Sequence, residues 1–268
     1  MKKIYKVPTS KNLYLIKNCL PFYKSLYLMN QKWSFARYVF VIVILNFKIF
    51  FNFKSEIYFS EIKTPFLEIE SIYLLKKDND EKIVIFTIEE NKNYIYKFFK
   101  AENIGFNNEL FIFTNIKVAE SSLIKLPKIE SEYKYKNWRI IKYSVRSFTT
   151  LNQNKNNKKF LYEYRKFYQT YLKKFNLIHN DFAPWNVAYY ENIYEIFDWE
   201  YTLTGPLEND LLWFALTSKL DFKELNIDLN NLNQEILLKK INSLGSSKHD
   251  KKILKKYEKF KKLNFQNF

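Results

Sequence analysis

Apolar and polar residues alternate in the β-prone run 66–75, whereas aromatic residues recur at every third or fourth position from Phe160 onward. From about residue 56 the sequence consists of short β-prone runs, which are typical of strands. After the polar stretch 152–159, aromatic residues continue at helical spacing, in the series Phe160, Tyr164, Phe167, Tyr171 and Phe175. Such a stripe usually packs in a core. The change of period therefore predicts an α+β protein with a strand-rich first lobe and a mainly helical second lobe.

Three β-prone runs predict an antiparallel meander in the first lobe. The runs are 66–75, 83–88 and 94–100, and they are separated by charged turns at 76–82 and 89–93. A short helix over 108–114 and a further strand over 138–143 are also expected. The chain is thereby divided into a helical, apolar N-terminal extension (1–55), an N-lobe (56–148) and a C-lobe (149–268).

The extension contains a strongly apolar run, Tyr38–Leu45. This run is too short to cross a bilayer, which takes about 20 residues. We expect a core element there, and a helix lying on a membrane surface is the alternative. The absence of a spanning segment, a signal peptide and paired cysteines predicts a cytoplasmic protein. Peripheral contact with the inner membrane through the basic, aromatic N-terminus is left open.

Composition excludes several kinds of functional site. Only three glycines occur, which excludes a dinucleotide fingerprint and a Walker A loop, because both need clustered glycines. One cysteine and two histidines exclude a disulfide framework and a multi-histidine metal site. The 44 basic and 28 acidic side chains give a net charge of +16, which favours anionic ligands. Nucleic acid is a disfavoured partner, because nucleic-acid sites usually recruit arginine and nearly all basic residues here are lysine.

A predicted hairpin lies between two polar side chains, Asn186 and Asp198. The short β-prone runs 187–190 and 194–197 are expected to pair as a tight β-hairpin. A hairpin symmetric about Asn192 would place Asn186 directly opposite Asp198. An amide oxygen and a carboxylate that converge in this way suit Mg²⁺, which also takes phosphate oxygens.

Three motifs stand in and around this hairpin. The first is H-x-D-x-x-x-x-N from His179 to Asn186, the second is a hydrophobic residue followed by Asp198, and the third is GPLENDL over 205–211. Together they resemble the aminoglycoside phosphotransferase and choline kinase-like branch of the protein kinase-like superfamily. The phrases DFAPWN and FDWE are similar to phosphotransferase-like proteins associated with bacterial surface-polysaccharide synthesis. The resemblance implies a bilobal protein kinase-like fold.

The resemblance also implies roles for the polar residues of this region. Asp181, on the loop that enters the hairpin, would be the catalytic base or an orienting carboxylate. Asn186 and Asp198 would be Mg²⁺ ligands. Glu200 would either contact a second metal ion or support the loop.

Two further residues, His179 and Asp210, would have structural roles. His179 would be buried under the catalytic loop, and Asp210 would accept backbone hydrogen bonds that hold this loop. Asn180, between the motif histidine and aspartate, departs from the glycine that is common in these enzymes.

In the first lobe, the resemblance implies a strand lysine that contacts the nucleotide phosphates and pairs with a helix glutamate. Lys100 with Glu109 is the preferred pair, and Lys97 is the competitor. The two lysines are an odd number of positions apart, so they lie on opposite faces of a strand and only one can face a cleft. Because no glycine-rich loop exists, the charged turn 76–82 is the candidate for covering the phosphates.

The sequence thus predicts an ATP- and Mg²⁺-dependent phosphotransferase that acts on a hydroxyl of a small molecule. The resemblance favours a sugar of surface-glycan synthesis as the acceptor. A cationic aminoglycoside is disfavoured because the chain itself carries +16. The alternative is a non-catalytic, pseudokinase-like protein that binds nucleotide or acts as a scaffold.

Overall fold

The structure is a computed structural model that describes most of the chain after residue 92 and a few strands before it. The described residues are 5–6, 13–15, 71–76, 82–89 and, from 92 to 264, all except 136, 148–149, 152–156, 223–224 and 226. The expected core element at Tyr38–Leu45 and the charged turn between Lys76 and Lys82 lie outside the described residues.

An antiparallel sheet of seven strands is built from the first part of the described chain. The strands before residue 146 are β1 (Tyr5–Lys6), β2 (Leu13–Leu15), β3 (Ser71–Lys76), β4 (Lys82–Glu89), β5 (Lys92–Lys100), β6 (Ile124–Lys125), β7 (Lys128–Tyr135) and β8 (Trp138–Val145). All except β6 form this sheet, in the order β1-β2-β3-β4-β5-β8-β7. The predicted meander is confirmed as β3, β4 and β5, and β8 is the further strand. The sheet begins within the segment that the sequence assigned to the extension, and β7 was not predicted.

One helix, α1 (Ile104–Asn115), follows β5 and packs on the sheet. Its start is fixed by Asn103, whose side chain accepts a hydrogen bond from the Gly105 N–H at 2.8 Å. This cap extends the helix four residues before the predicted start. Buried apolar residues of α1 and the sheet form one cluster: Val84, Ile95, Phe99, Phe106, Ile141, Tyr143 and Val145. The packing turns one face of α1, including Glu109, toward β5.

The second part of the chain is mainly helical. Its helices are α2 (Asn157–Phe167), α3 (Leu207–Thr217), α4 (Gln234–Asn242) and α5 (Lys248–Asn264), and its strands are β9 (Leu177–Ile178), β10 (Val187–Tyr190), β11 (Ile193–Ile196) and β12 (Leu203–Thr204). β10 and β11 pair with β6 in a three-stranded sheet, whereas β12 pairs with β9. The described part of the chain after residue 156 is therefore mainly helical, as the change of period predicted, and contains a short hairpin.

The aromatic stripe on α2 packs in the larger core, as expected. Phe160, Tyr164 and Phe167 are buried, and Tyr171 packs against the same cluster. Phe175 is 37% exposed, so the stripe ends before it. The reason is a change of helical pitch, because α2 continues as a π-helical turn and then as a 3₁₀ turn. Each change rotates later side chains off the buried face.

The predicted α+β class is confirmed by these sheets and helices. The proposed boundaries of the extension, the N-lobe and the C-lobe, and their bilobal arrangement, stay predictions. Among the described residues, no helix has both the length and the apolar character that crossing a membrane requires.

Candidate active site

The predicted hairpin is confirmed as β10 and β11, joined by a two-residue turn. Glu191 and Asn192 form the turn, and both have positive φ, at 49° and 67°. Two consecutive residues in this region make a type I′ turn, whose twist matches that of antiparallel strands. Asn adopts this conformation readily, whereas Glu does so at a cost, so the turn is held by the pairing of its strands.

The register of the hairpin differs by one residue from the predicted register. The Phe197 N–H donates to the carbonyl of Asn186 at 3.1 Å, so Asn186 lies opposite Phe197. The prediction that Asn186 lies directly opposite Asp198 is therefore wrong. The sequence argument centred the hairpin on Asn192, whereas the actual turn is centred between Glu191 and Asn192. Asp198 leaves the ladder with φ of 68° and ψ of 48°, a left-handed conformation that redirects its side chain.

The buried carboxylate of Asp210 holds the loop that enters the hairpin through hydrogen bonds to its backbone. One carboxylate oxygen accepts from the His179 N–H at 2.8 Å, and the other accepts from the Asn180 N–H at 2.9 Å. The Tyr164 hydroxyl donates to the first oxygen at 2.6 Å. Burial raises the pKa of Asp210, whereas His179 and these hydrogen bonds oppose the rise. Asp210 is thus a buried anchor for the loop, and Tyr164 is a partner that the sequence analysis missed.

His179 connects this loop to the segment that carries Asp198. Its Nδ1 accepts from the Asp181 N–H at 3.2 Å, so Nε2 carries the proton and donates to the Phe197 carbonyl at 2.9 Å. The ring is buried and packs against Trp199, with centroids 4.5 Å apart. Burial lowers the pKa of His179, which keeps the imidazole neutral. The tautomer and the burial suit a structural residue.

Asp181 and Asn186 lie side by side at the mouth of the hairpin. The Asn186 amide nitrogen donates to the Asp181 carbonyl at 2.8 Å and to the Asp181 Oδ2 at 3.0 Å. The Asp181 side chain is 25% exposed, so a substrate hydroxyl can reach it. Because the amide nitrogen is committed to Asp181, the amide oxygen is the Asn186 atom that is suited to a cation.

Lys97, on β5, lies between the carboxylates of Glu109 and Asp198. Its ammonium group forms an ion pair with Glu109 Oε1 and another with Asp198 Oδ1, the latter at 2.5 Å. Lys97 is only 2% exposed. Burial alone would lower the pKa of Lys97, but Asp198 and then Glu109 raise it well above its ordinary value. The lysine is therefore a fixed cation that joins the sheet, α1 and the end of the hairpin.

The structure corrects the choice of Lys100 as the partner of Glu109. Lys100 is exposed at the end of β5, where it pairs with Trp138 of β8. Lys97 and Glu109 face each other because Lys97 points from the side of the sheet that α1 covers. The competing prediction, Lys97, thus has the geometry that was expected for Lys100.

Helix α1 is attached directly to the segment that follows Asp198. Asn108, which the sequence analysis missed, donates to the carbonyls of Glu200 and Thr202 at 2.9 Å and 3.1 Å. Glu109 Oε1 also accepts from the Trp199 N–H at 3.1 Å. A Cβ at Gly105 would lie 2.9 Å from the Glu200 Cβ, so the contact requires glycine. The buried Glu200 stands at this contact, and its predicted roles stay predictions.

A second lysine, Lys240 of α4, approaches the site from the other side. Its ammonium nitrogen lies 3.3 Å from Asp181 Oδ1 and 4.2 Å from the centre of the Trp213 ring. Burial lowers the pKa of Lys240, and Asp181 opposes that effect. No motif marks this residue, because the docking of a distant helix brings it to the loop.

The polar side chains around the end of the hairpin carry oxygen donors of the kind that a magnesium ion would take. These donors are carboxylate and amide oxygens of Asp181, Asn186 and Asp198, the hard donors that Mg²⁺ prefers. In the described part of the chain, no group of three or more His, Cys, Asp or Glu residues could hold a metal ion. Mg²⁺ is commonly bound by one or two carboxylates together with substrate phosphates, so the donor set matches nucleotide-bound magnesium.

No protein-family model matches the chain, and no curated protein matches its sequence. Partial similarity exists to the solved structure of the kinase PK-1 of Cydia pomonella granulovirus, with 17% identity, a TM-score of 0.36, and coverage of 49% of this chain and 54% of that chain. A thermostable mutant of aminoglycoside phosphotransferase APH(4)-Ia gives 10% identity, a TM-score of 0.44, and coverage of 55% and 75%. The structure of the bifunctional kinase-methyltransferase WbdD shows 15% identity and a TM-score of 0.43, and the match covers 65% of this chain and 47% of that chain. The chain thus spans about half the length of the viral kinase and of WbdD. All three of these proteins are kinases or phosphotransferases.

Proposed function

We propose that this protein transfers the terminal phosphoryl group of ATP, with Mg²⁺, to a hydroxyl of a small molecule. The observation that carries the proposal is the convergence of a buried lysine, Lys97, on Glu109 and on Asp198, beside the pair Asp181 and Asn186. Phosphoryl transfer needs a fixed cation for phosphates, oxygen ligands for magnesium and a carboxylate for the hydroxyl. These groups supply all three.

Each side chain has a defined task in this proposal. Lys97 binds the nucleotide phosphates, and Glu109 holds Lys97 in place. Asn186 and Asp198 would hold the magnesium ion, which supplies positive charge to the phosphates when it is bound. Asp181 orients the acceptor hydroxyl and takes its proton. Most of the rate enhancement would come from positioning and charge neutralisation.

The transfer step conserves atoms and charge as follows. The acceptor oxygen forms a bond to the γ-phosphorus while the bond from that phosphorus to the β–γ bridging oxygen breaks. The electron pair of the broken bond leaves with ADP, and the hydroxyl proton passes to the Asp181 carboxylate.

The sequence resemblance supports a sugar of surface-glycan synthesis as the acceptor. The net charge of +16 favours an anionic or neutral acceptor over a cationic aminoglycoside. A cytoplasmic location, with contact to the inner membrane surface through the basic N-terminal residues, belongs to the same proposal.

A second candidate function is nucleotide binding or scaffolding without turnover. The direct contact between Lys97 and Asp198 favours it, because the ammonium then competes with a metal ion for the same carboxylate. A catalyst must open this contact when it binds magnesium and nucleotide, whereas a scaffold can keep it closed.

Thermal unfolding with ATP, MgCl₂, or both distinguishes these functions. We expect stabilisation by ATP that requires Mg²⁺ and is lost in Asp198→Ala, whereas the exposed-site control Glu120→Gln behaves as the wild type. ADP formation in the presence of sugar acceptors should then be lost in Asp181→Asn, with nucleotide binding retained. Binding without turnover in the wild type would support the second candidate. No stabilisation at millimolar ATP would refute both phosphoryl transfer from ATP and nucleotide binding without turnover.

A further inference from the structure

The ammonium group of Lys240 is buried, although its side chain as a whole is 17% exposed. It lies 3.3 Å from Asp181 Oδ1, but this ammonium nitrogen forms no hydrogen bond of good geometry within the described part of the chain. The Trp213 ring covers the other side of the ammonium at 4.2 Å. A buried cation in this state carries donors that an incoming anion would satisfy.

The position of Lys240 is fixed by hydrogen bonds at the start of α4. Asn209 donates to the Asn233 carbonyl at 2.8 Å, and the Asn233 N–H donates back to Asn209 Oδ1 at 2.9 Å. The Asn233 side chain in turn caps α4 by accepting from the Ile236 N–H at 3.1 Å. Asn209 directly precedes Asp210, which holds the catalytic loop. The same turn of α3 therefore positions both the loop and the helix that carries Lys240.

The charges at the site indicate what Lys240 would bind. The loop between Asp181 and Asn186 contains no cation of its own. Lys97 is shared between two carboxylates on the opposite side. Lys240 is thus the lysine whose ammonium lies beside the carboxylate that would receive the hydroxyl proton, and Lys240 also lines a small cavity together with Asp210 and Trp213.

We propose that Lys240 contacts the terminal phosphoryl group of the nucleotide on the acceptor side during transfer. This inference rests on the proposed phosphotransferase function. An acceptor oxygen must lie about 2.6–3.2 Å from Asp181, and the phosphorus must lie about 3–3.5 Å from that oxygen. An ammonium that is already 3.3 Å from the Asp181 carboxylate is within reach of the phosphoryl oxygens. Lys240 neither gains nor loses a proton, so the balance of the transfer step is unchanged.

The contact predicts a preference for a triphosphate that depends on Lys240. Dissociation constants for the non-hydrolysable analogue AMP-PNP and for ADP are measured by calorimetry with MgCl₂ on the wild type and on Lys240→Met, Lys240→Arg and Lys239→Met. The exposed neighbour Lys239 on the same helix is the matched control. We expect Lys240→Met to weaken AMP-PNP binding about tenfold and ADP binding less than twofold. Lys240→Arg should retain part of the preference, and Lys239→Met should retain all of it.

The outcomes separate this inference from the function on which it rests. If the wild type binds neither nucleotide, the proposed function fails and the inference fails with it. If the wild type binds both and Lys240→Met keeps the ratio of affinities, only the inference is overturned.

A second measurement does not depend on the folding of a Lys240 variant. The emission of Trp213, obtained as the difference between the wild type and Trp213→Phe, should change with AMP-PNP and remain unchanged with ADP, because the ammonium leaves the ring only for the terminal phosphoryl group. Equal responses to the two nucleotides would contradict the contact.

Discussion

Replacement of Glu195 by glutamine should stabilise the protein at pH 8 but not at pH 5. Glu195 is buried on β11, and its Oε2 accepts from the Arg146 N–H at 2.8 Å. Burial raises the pKa of Glu195 from 4.5 to about 7, and Arg146 only partly opposes the rise. The folded protein therefore holds a proton on Glu195 at pH values where the unfolded chain has lost it.

The sign and size of the effect follow from this linkage. A raised carboxyl pKa contributes stability that is present below pH 4.5 and is lost as the pH rises through about 7. At 1.36 kcal/mol per pKa unit, the wild type loses up to about 3 kcal/mol between these limits. Glutamine carries no charge, so the variant avoids this loss. The added amide protons need partners and cost about 1–2 kcal/mol. We therefore expect a net gain of about 1–2 kcal/mol at pH 8.

Urea unfolding at pH 5 and pH 8 tests this expectation. The comparison with the wild type cancels other titrating groups, such as Asp210 and His179, because both proteins contain them. Glu191→Gln, at the exposed turn of the same hairpin, is the matched control and should change the free energy of unfolding by less than about 0.5 kcal/mol at either pH. A Glu195→Gln variant that is destabilised equally at both pH values would refute a protonated, buried carboxyl.

Three further substitutions test the contacts that build the site, each by urea unfolding and by ATP binding with Mg²⁺. Gly105→Ala should lower the free energy of unfolding by about 1–3 kcal/mol and weaken ATP binding, because the added Cβ would lie 2.9 Å from the Cβ of the buried Glu200. The control Gly245→Ala, whose added Cβ has its nearest contact at 3.4 Å, should be tolerated. Lys97→Met should cost about 3–5 kcal/mol and abolish ATP binding, since it leaves two carboxylates without their cation, whereas Lys100→Met should be neutral. Tyr164→Phe should lower the free energy of unfolding by about 1–2 kcal/mol, because the buried carboxylate of Asp210 loses a hydrogen-bond donor. An unchanged stability would show that the Tyr164 hydroxyl is dispensable.

Local sequence patterns were sufficient to predict β3, β4, β5 and β8 of the large sheet, together with the β10–β11 hairpin and the loop that enters it. Helix α1 begins earlier than predicted because Asn103 caps it, and the hairpin register differs from the predicted register because the turn is of type I′. The hydropathy pattern contains neither piece of information. The turn was misplaced because the second strand was predicted to begin at Tyr194, which left three turn residues centred on Asn192, whereas Ile193 already pairs with Tyr190. A one-residue error of this kind changes which side chains face each other.

The choice between Lys97 and Lys100 depended on tertiary structure. Strand alternation showed that only one of them could face the cleft, but both faces of β5 are apolar, with Tyr96 and Phe98 buried as well as Ile95 and Phe99. Only the packing of α1 on one face decides the question. Lys240 could not be predicted at all, since its place depends on hydrogen bonds between two helices that are separated in sequence.

The site is assembled by two supports that are linked through one histidine. Helix α1 holds the Lys97 side by its contacts with the segment after Asp198, and the start of α3 holds the Asp181 side through Asp210. His179 joins the two, because one ring nitrogen accepts from the loop and the other donates to the residue before Asp198. Since every one of these bonds is made within the protein, the loop that carries Asp181 and the segment that carries Asp198 are positioned before any ligand arrives, and only the contact between Lys97 and Asp198 would have to open. Such pre-organisation is what a phosphotransferase requires, because its catalysis consists mainly of placing charges around a reacting phosphoryl group.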